Sequence, residues 1–77
     1  EDVRFDGAPH RSILSFPGMA ERTVKIGSAG KIFGLTGWKI GWAVASAELA
    51  YGLYRAHQFL TATSPPALQW AVAEGLA

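Results

Sequence analysis

Cysteine is absent from this 77-residue chain. Its absence excludes a disulfide framework and thiolate metal sites within these residues, and agrees with a reducing compartment such as the cytoplasm. Charge is sparse, at 17% of residues, and balanced to a net +1. A nucleic-acid binder would carry a basic stripe, and none is visible. Long hydrophobic runs are missing as well. The longest nearly apolar stretch, Ile40 to Tyr54, contains Glu48 and is too short to span a bilayer. Gly37 and Gly41 stand at GxxxG spacing, but Lys39 between them argues against a membrane-helix dimer. There is no secretory signal, internal repeat or low-complexity segment.

What is present is apolar and aromatic. Hydrophobic residues make up 49% of the chain, with three tryptophans and four phenylalanines. That is globular composition, yet more aromatic surface than so short a chain buries by itself. Its apolar faces are therefore expected to meet neighbouring segments. The chain opens on Glu1 rather than methionine and closes at Ala77, inside an alanine-rich helical pattern. Residues 1–77 are thus expected to form part of a larger domain, truncated at both ends, and to fold poorly alone.

Glycine and proline punctuate the first third. Glu1 to Ser12 reads as a loop with a short extended piece at Val3 to Phe5. Ile13 to Phe16 extends briefly before the turn signal Pro17–Gly18, and Met19 to Arg22 is a helical turn or loop. Thr23 to Ile26 alternates like a strand, with Val24 and Ile26 on one side. Ile40 to Ala45 is a nearly continuous apolar run, as in a strand covered on both faces. Ser46 is a candidate N-cap, with Glu48 in the first turn of a helix reaching Leu60. Leu49, Leu53, Ala56 and Leu60 recur along it at helical spacing, and Gly52 weakens it by about 1 kcal/mol. After a break at Thr61 to Pro65, Pro66 begins a last helix to Leu76. The order implies an α/β fold with a mainly parallel or mixed sheet.

Between the two strands lies Gly27 to Gly41, GSAGKIFGLTGWKIG. Lys31 sits among small residues, with a single helical turn expected around Lys31 to Phe33. Glycine permits close backbone approach, so a lysine here is presented rather than simply solvated. Ser28 and Lys39 place a hydroxyl and a second ammonium within reach of an anion near Lys31. That layout suits an aldehyde cofactor bearing a phosphate: one lysine forms the imine and the other groups hold the phosphate.

From Ser28 to Gly41 the pattern is small–apolar–small–Lys, two variable residues, then small–apolar–variable–small–variable–basic–apolar–Gly. It resembles, without a gap, the Schiff-base lysine motif of class I and II aminotransferases, the pyridoxal-phosphate enzymes of fold type I. The likeness extends to FDG at Phe5 to Gly7, PGMAERT at Pro17 to Thr23 and HQFLT at His57 to Thr61, and so covers nearly the whole chain. The basic position, more often arginine in the wider family, holds Lys39. In this it looks like the branch of kynurenine, glutamine, methionine and succinyldiaminopimelate aminotransferases. A lysine there meets a phosphate as a point charge rather than as a planar fork.

The resemblance implies part of the large, cofactor-binding domain, with a mainly parallel sheet between helices. It implies pyridoxal 5'-phosphate as cofactor, amino acids and 2-oxo acids as substrates, and a homodimer at full length. Lys31 would carry the cofactor as an internal aldimine and move the substrate proton, and Ser28 and Lys39 would contact the phosphate. Gly30 stands where some relatives carry a second phosphate-binding hydroxyl. The aspartate at the pyridine nitrogen, the stacking ring and the carboxylate-binding arginine would all lie outside this chain, which alone should be inactive.

Other readings compete. GSAGK superficially resembles a phosphate loop, but a P-loop needs glycine where Lys25 stands and Ser or Thr where Ile32 stands. The glycine spacing never gives GxGxxG. A carbon–sulfur lyase of the same fold type, or a non-catalytic relic of the fold, are the remaining alternatives. His10 and His57 lack the companions of a metal site. Trp38, Trp42 and Trp70 are read as packing or interface residues, and Tyr51 and Tyr54 as ordinary helix positions.

Overall fold

A computed structural model describes residues 3–77. The first two residues of the expected N-terminal loop, Glu1 and Asp2, lie outside the described residues. The elements in order are strand β1 (Lys25–Ser28), a helical turn α1 (Ala29–Ile32), strand β2 (Gly41–Val44) and helices α2 (Ala47–Leu60) and α3 (Pro66–Leu76). Short 3₁₀ turns cover Ile13–Ser15, Ala20–Arg22 and Thr36–Trp38.

Both long helices keep the bounds that the sequence implies. Glu48 lies in the first turn of α2, and the Ser46 carbonyl accepts the Ala50 N–H at 2.8 Å. The Ser46 side chain makes no capping bond, so the expected side-chain cap does not form. In α3, Pro66 takes the first turn, where its missing N–H costs nothing, and Gln69 reaches back to the Ser64 carbonyl at 2.7 Å.

The strands depart from expectation. β1 starts two residues later than Thr23, and Ile13–Ser15 is a 3₁₀ turn rather than extended. Ser12 explains the latter: its hydroxyl accepts the Leu14 N–H and its carbonyl the Ser15 N–H, which curls the chain. The pair β1–β2 is antiparallel, with Gly27 opposite Trp42 and Ser28 opposite Gly41, a pairing that the expected mainly parallel or mixed sheet admits. A parallel neighbour requires a crossover, usually a full helix. The segment between these strands holds only α1 and one 3₁₀ turn, and it returns the chain on itself.

Nor is β2 covered on both faces. Val44 is about half exposed, and on the neighbouring β1 Ile26 is 79% exposed. The buried hydrophobic core among the described residues is Ala29, Ile40 and Val72, with Trp42 and Leu68 packed against it. It sits where α3 meets the ends of the two strands. Helix α2 buries none of its residues, and Leu53 and Leu60 on its apolar stripe lie open. The radius of gyration is 14.5 Å, whereas a compact domain of this length measures roughly 11–12 Å. No described helix is long and apolar enough to cross a membrane.

Candidate functional site

The candidate site is built on the end of the hairpin. Ser28 closes β1 in extended conformation and the chain turns at once into α1. Ala29 fixes that corner: it is fully buried, its N–H donates to the Ile40 carbonyl at 3.0 Å, and its carbonyl accepts the Phe33 N–H at 2.9 Å. Gly34, at φ +67°, ends the turn in a conformation that L side chains resist. The chain then passes through Thr36–Trp38 and re-enters the sheet through Lys39 and Ile40.

Glycines let the strands close. A Cβ on Gly27 would overlap the Trp42 indole, which lies across it from the opposite strand. A Cβ on Gly41 would stand 2.8 Å from the Gly27 carbonyl oxygen. On the α3 side the Phe33 ring rests against Gly75, bracing the turn that carries Lys31.

These constraints bring Ser28, Lys31 and Lys39 to the rim of one cleft of about 320 Å³. Thr36 joins them, and Gly27, Gly30, Ile40 and Gly41 complete the wall. The lining holds two ammonium groups, the Ser28 hydroxyl and no carboxylate, a donor set matched to a phosphate, while the Thr36 hydroxyl donates to the Gly30 carbonyl. Ser28 makes no helix-capping bond, so its hydroxyl is not committed to the turn it precedes. Lys39 stands at φ 55°, ψ 36°, a left-handed conformation rare for a residue with a side chain. Both lysines are exposed. The described residues form one side of the cleft and do not roof it.

Lys31 and Ser28 also border a second hollow of about 670 Å³, which runs past Phe33 and Trp42 to Gly75 and Leu76. A third groove of about 450 Å³ between β2 and α2 is apolar and includes Trp42, Leu53, Tyr54 and His57. It contains none of the three residues and reads as an uncovered packing face. Of the tryptophans, Trp42 packs in the hairpin, while Trp70 is largely exposed on α3. No group of three or more His, Cys, Asp or Glu able to hold a metal gathers among the described residues.

Thr36 is the cleft residue that sequence reasoning passed over. Its signal was present: a threonine inside a glycine-rich loop, five residues after the lysine. It falls at a variable position of the motif, so only the fold shows that it turns back onto the lysine.

The chain belongs to a family of group-transferring enzymes, the class I and II aminotransferases, whose family model matches residues 5–77. Among its relatives, a kynurenine–oxoglutarate transaminase of Dictyostelium discoideum is 42% identical over 99% of this chain and 18% of its own length. A probable N-succinyldiaminopimelate aminotransferase of Mycobacterium tuberculosis is 49% identical over 99% of this chain and 19% of its own. Human kynurenine–oxoglutarate transaminase 1 is 49% identical over 91% of this chain and 17% of its own. The chain therefore spans less than a fifth of the length of these curated relatives. No solved structure gave a significant match.

Proposed function

We propose that residues 1–77 are part of the large domain of a pyridoxal-phosphate-dependent aminotransferase. At full length it would transfer an amino group from an amino acid to a 2-oxo acid, as a homodimer in the cytoplasm. The observation that carries this reading is the cleft, where Lys31, Lys39 and Ser28 meet in a chain of this family. A cleft wall with two cations, a free serine hydroxyl and no carboxylate fits a phosphorylated aldehyde.

In this reading Lys39 balances the phosphate charge as a point cation, and the Ser28 hydroxyl donates to a phosphate oxygen. The cofactor, when bound, supplies the carbonyl carbon that accepts the amino group and the ring that draws electrons from the substrate. Lys31 anchors it covalently. Once freed, its amine takes the proton from the α-carbon of the bound amino acid, acting as general base. The same amine, now protonated, would be the acid that delivers this proton to the cofactor's former carbonyl carbon, so that the nitrogen stays with the cofactor. The α1 turn keeps that amine on one side of the sheet, between the two hollows it borders.

The test is borohydride reduction of the full-length protein followed by peptide mapping. A pyridoxyl adduct on Lys31 supports the assignment, and a donor-dependent change in cofactor absorbance separates an enzyme from a binding-only relic. An adduct on Lys25 or Lys39, or no adduct, overturns it.

A further inference from the structure

The geometry points to Thr36 as a positioning residue for Lys31, acting through the carbonyl of Gly30. This inference rests on the reading of Lys31 given above. Helix α1 is a single turn, and the last carbonyls of any helix lack partners within it. The first carbonyl, that of Ala29, is taken by the Phe33 N–H. The next, that of Gly30, receives the Thr36 hydroxyl across six residues, at 3.4 Å.

That carbonyl belongs to the peptide bond joining Gly30 to Lys31. Holding it fixes the plane from which the Lys31 side chain departs, because the peptide unit is rigid. The preceding peptide, Ala29–Gly30, is already held through its carbonyl by the Phe33 N–H, and the one before it, Ser28–Ala29, through the Ala29 N–H bound to Ile40. The three peptides leading to Lys31 are thus each held, in order by Ile40, by Phe33 and by Thr36. Gly30 makes the second contact possible. A Cβ there would stand 3.0 Å from the Thr36 Cα and 3.4 Å from the Ser28 Oγ, so any side chain presses the loop away. Because the Thr36 proton is directed at a carbonyl, the hydroxyl is left as an acceptor and is a poor partner for an anion. Its place on the cleft wall therefore serves the lysine rather than the phosphate.

The experiment compares full-length wild type with Thr36→Val, Thr36→Ser and Gly30→Ala. One readout is amide hydrogen exchange at Lys31 to Phe33 in the cofactor-free protein. The other is the pH titration of cofactor absorbance in the loaded protein. Thr36→Val and Gly30→Ala are expected to speed exchange at these amides about fivefold and to displace the titration midpoint. Thr36→Ser, which keeps the hydroxyl, restores both. Affinity for inorganic phosphate, measured by competition, stays within about twofold of wild type, as expected for a residue that makes no anion contact. Unchanged exchange in Thr36→Val, or failure of serine to rescue it, overturns the inference. So does a selective loss of affinity for pyridoxal 5'-phosphate over pyridoxal, which would make Thr36 an anion ligand. If wild type shows no adduct on Lys31, the proposed function falls, while the exchange measurement still decides whether Thr36 holds this turn.

Discussion

The hairpin and the helical pair are stabilised by different means. Between β1 and β2 the chain approaches itself so closely that single hydrogen atoms stand where side chains would collide, at Gly27 and Gly41. Along α2 nothing stands within 4 Å of a Cβ built on Gly52, and no side chain is buried. The first region is specified by contacts distant in sequence, the second by local signals. A cofactor site needs the former, because only a backbone pinned from several sides holds an amine within fractions of an ångström. The helices present apolar faces, with Tyr51, Leu53, Phe59 and Trp70 open, that acquire meaning only against a neighbour.

The largest effect expected anywhere in the chain comes from the hairpin. Lys31→Ala in the full-length protein should lower turnover by at least about a thousandfold, since it removes the anchor and the proton carrier together. Cofactor binding should survive in part, because Ser28 and Lys39 remain on the cleft wall. Steady-state kinetics beside equilibrium dialysis of pyridoxal 5'-phosphate checks both. An alanine at 31 that leaves turnover within tenfold of wild type would break the contrast, for the pinned region would then hold nothing essential.

Gly27→Ala tests the pinning itself. The new methyl meets the Trp42 ring, and the opposing strands must part or the indole must swing out. Overpacking of this kind is expected to destabilise the protein by about 3 kcal/mol, read as a fall in denaturation midpoint. In a Trp42→Ala background the same change should cost less, because the two residues are cross-strand partners. Simple additivity of the two changes would show that the indole is not what demands glycine at position 27.

How much of this was legible beforehand follows the same division. Ala47–Leu60 and Pro66–Leu76 were readable to the residue, because Ser46–Pro66 carries its own punctuation: a capping position, an acidic first turn and a proline start. That Ser28, Lys31 and Lys39 would stand near one another was legible through their spacing, and they border one cleft. Three features were not. The antiparallel pairing depends on how tightly residues 29–40 turn back, and the apolar composition of Ile40 to Ala45 says nothing of direction. The exposure of Lys31 depends on what covers the cleft. Thr36 reaches the Gly30 carbonyl only after the loop has folded, across six positions with no periodic signal.

Lys39 carries a charge on a left-handed backbone. Lys39→Gly removes the cation but relieves the conformation, so its two effects should run in opposite directions. Affinity for pyridoxal 5'-phosphate should fall about tenfold, as for loss of one charged hydrogen-bonding partner. Stability should rise by up to about 1 kcal/mol, the left-handed penalty less the entropy of glycine. Lys39→Ala should lose affinity equally while keeping the backbone penalty. If glycine and alanine give the same melting temperature, the conformation at 39 is not strained and the pinning stops at Ile40.

The smallest effect is the sharpest test of the helical side. Gly52→Ala makes the same chemical change as Gly27→Ala, one added methyl, but in the interior of α2 with open space around it. Alanine is the better helix former by about 1 kcal/mol, so the substitution should stabilise the full-length protein by about that amount, against a loss at Gly27. The sign carries the information. A gain shows that the Gly52 side of α2 faces open space in the complete enzyme, as it does among the described residues. A loss shows that another segment packs against this glycine closely enough to exclude a methyl. The helix would then be pinned in the same manner as the hairpin, and the contrast between the two regions would reduce to which partner each awaits.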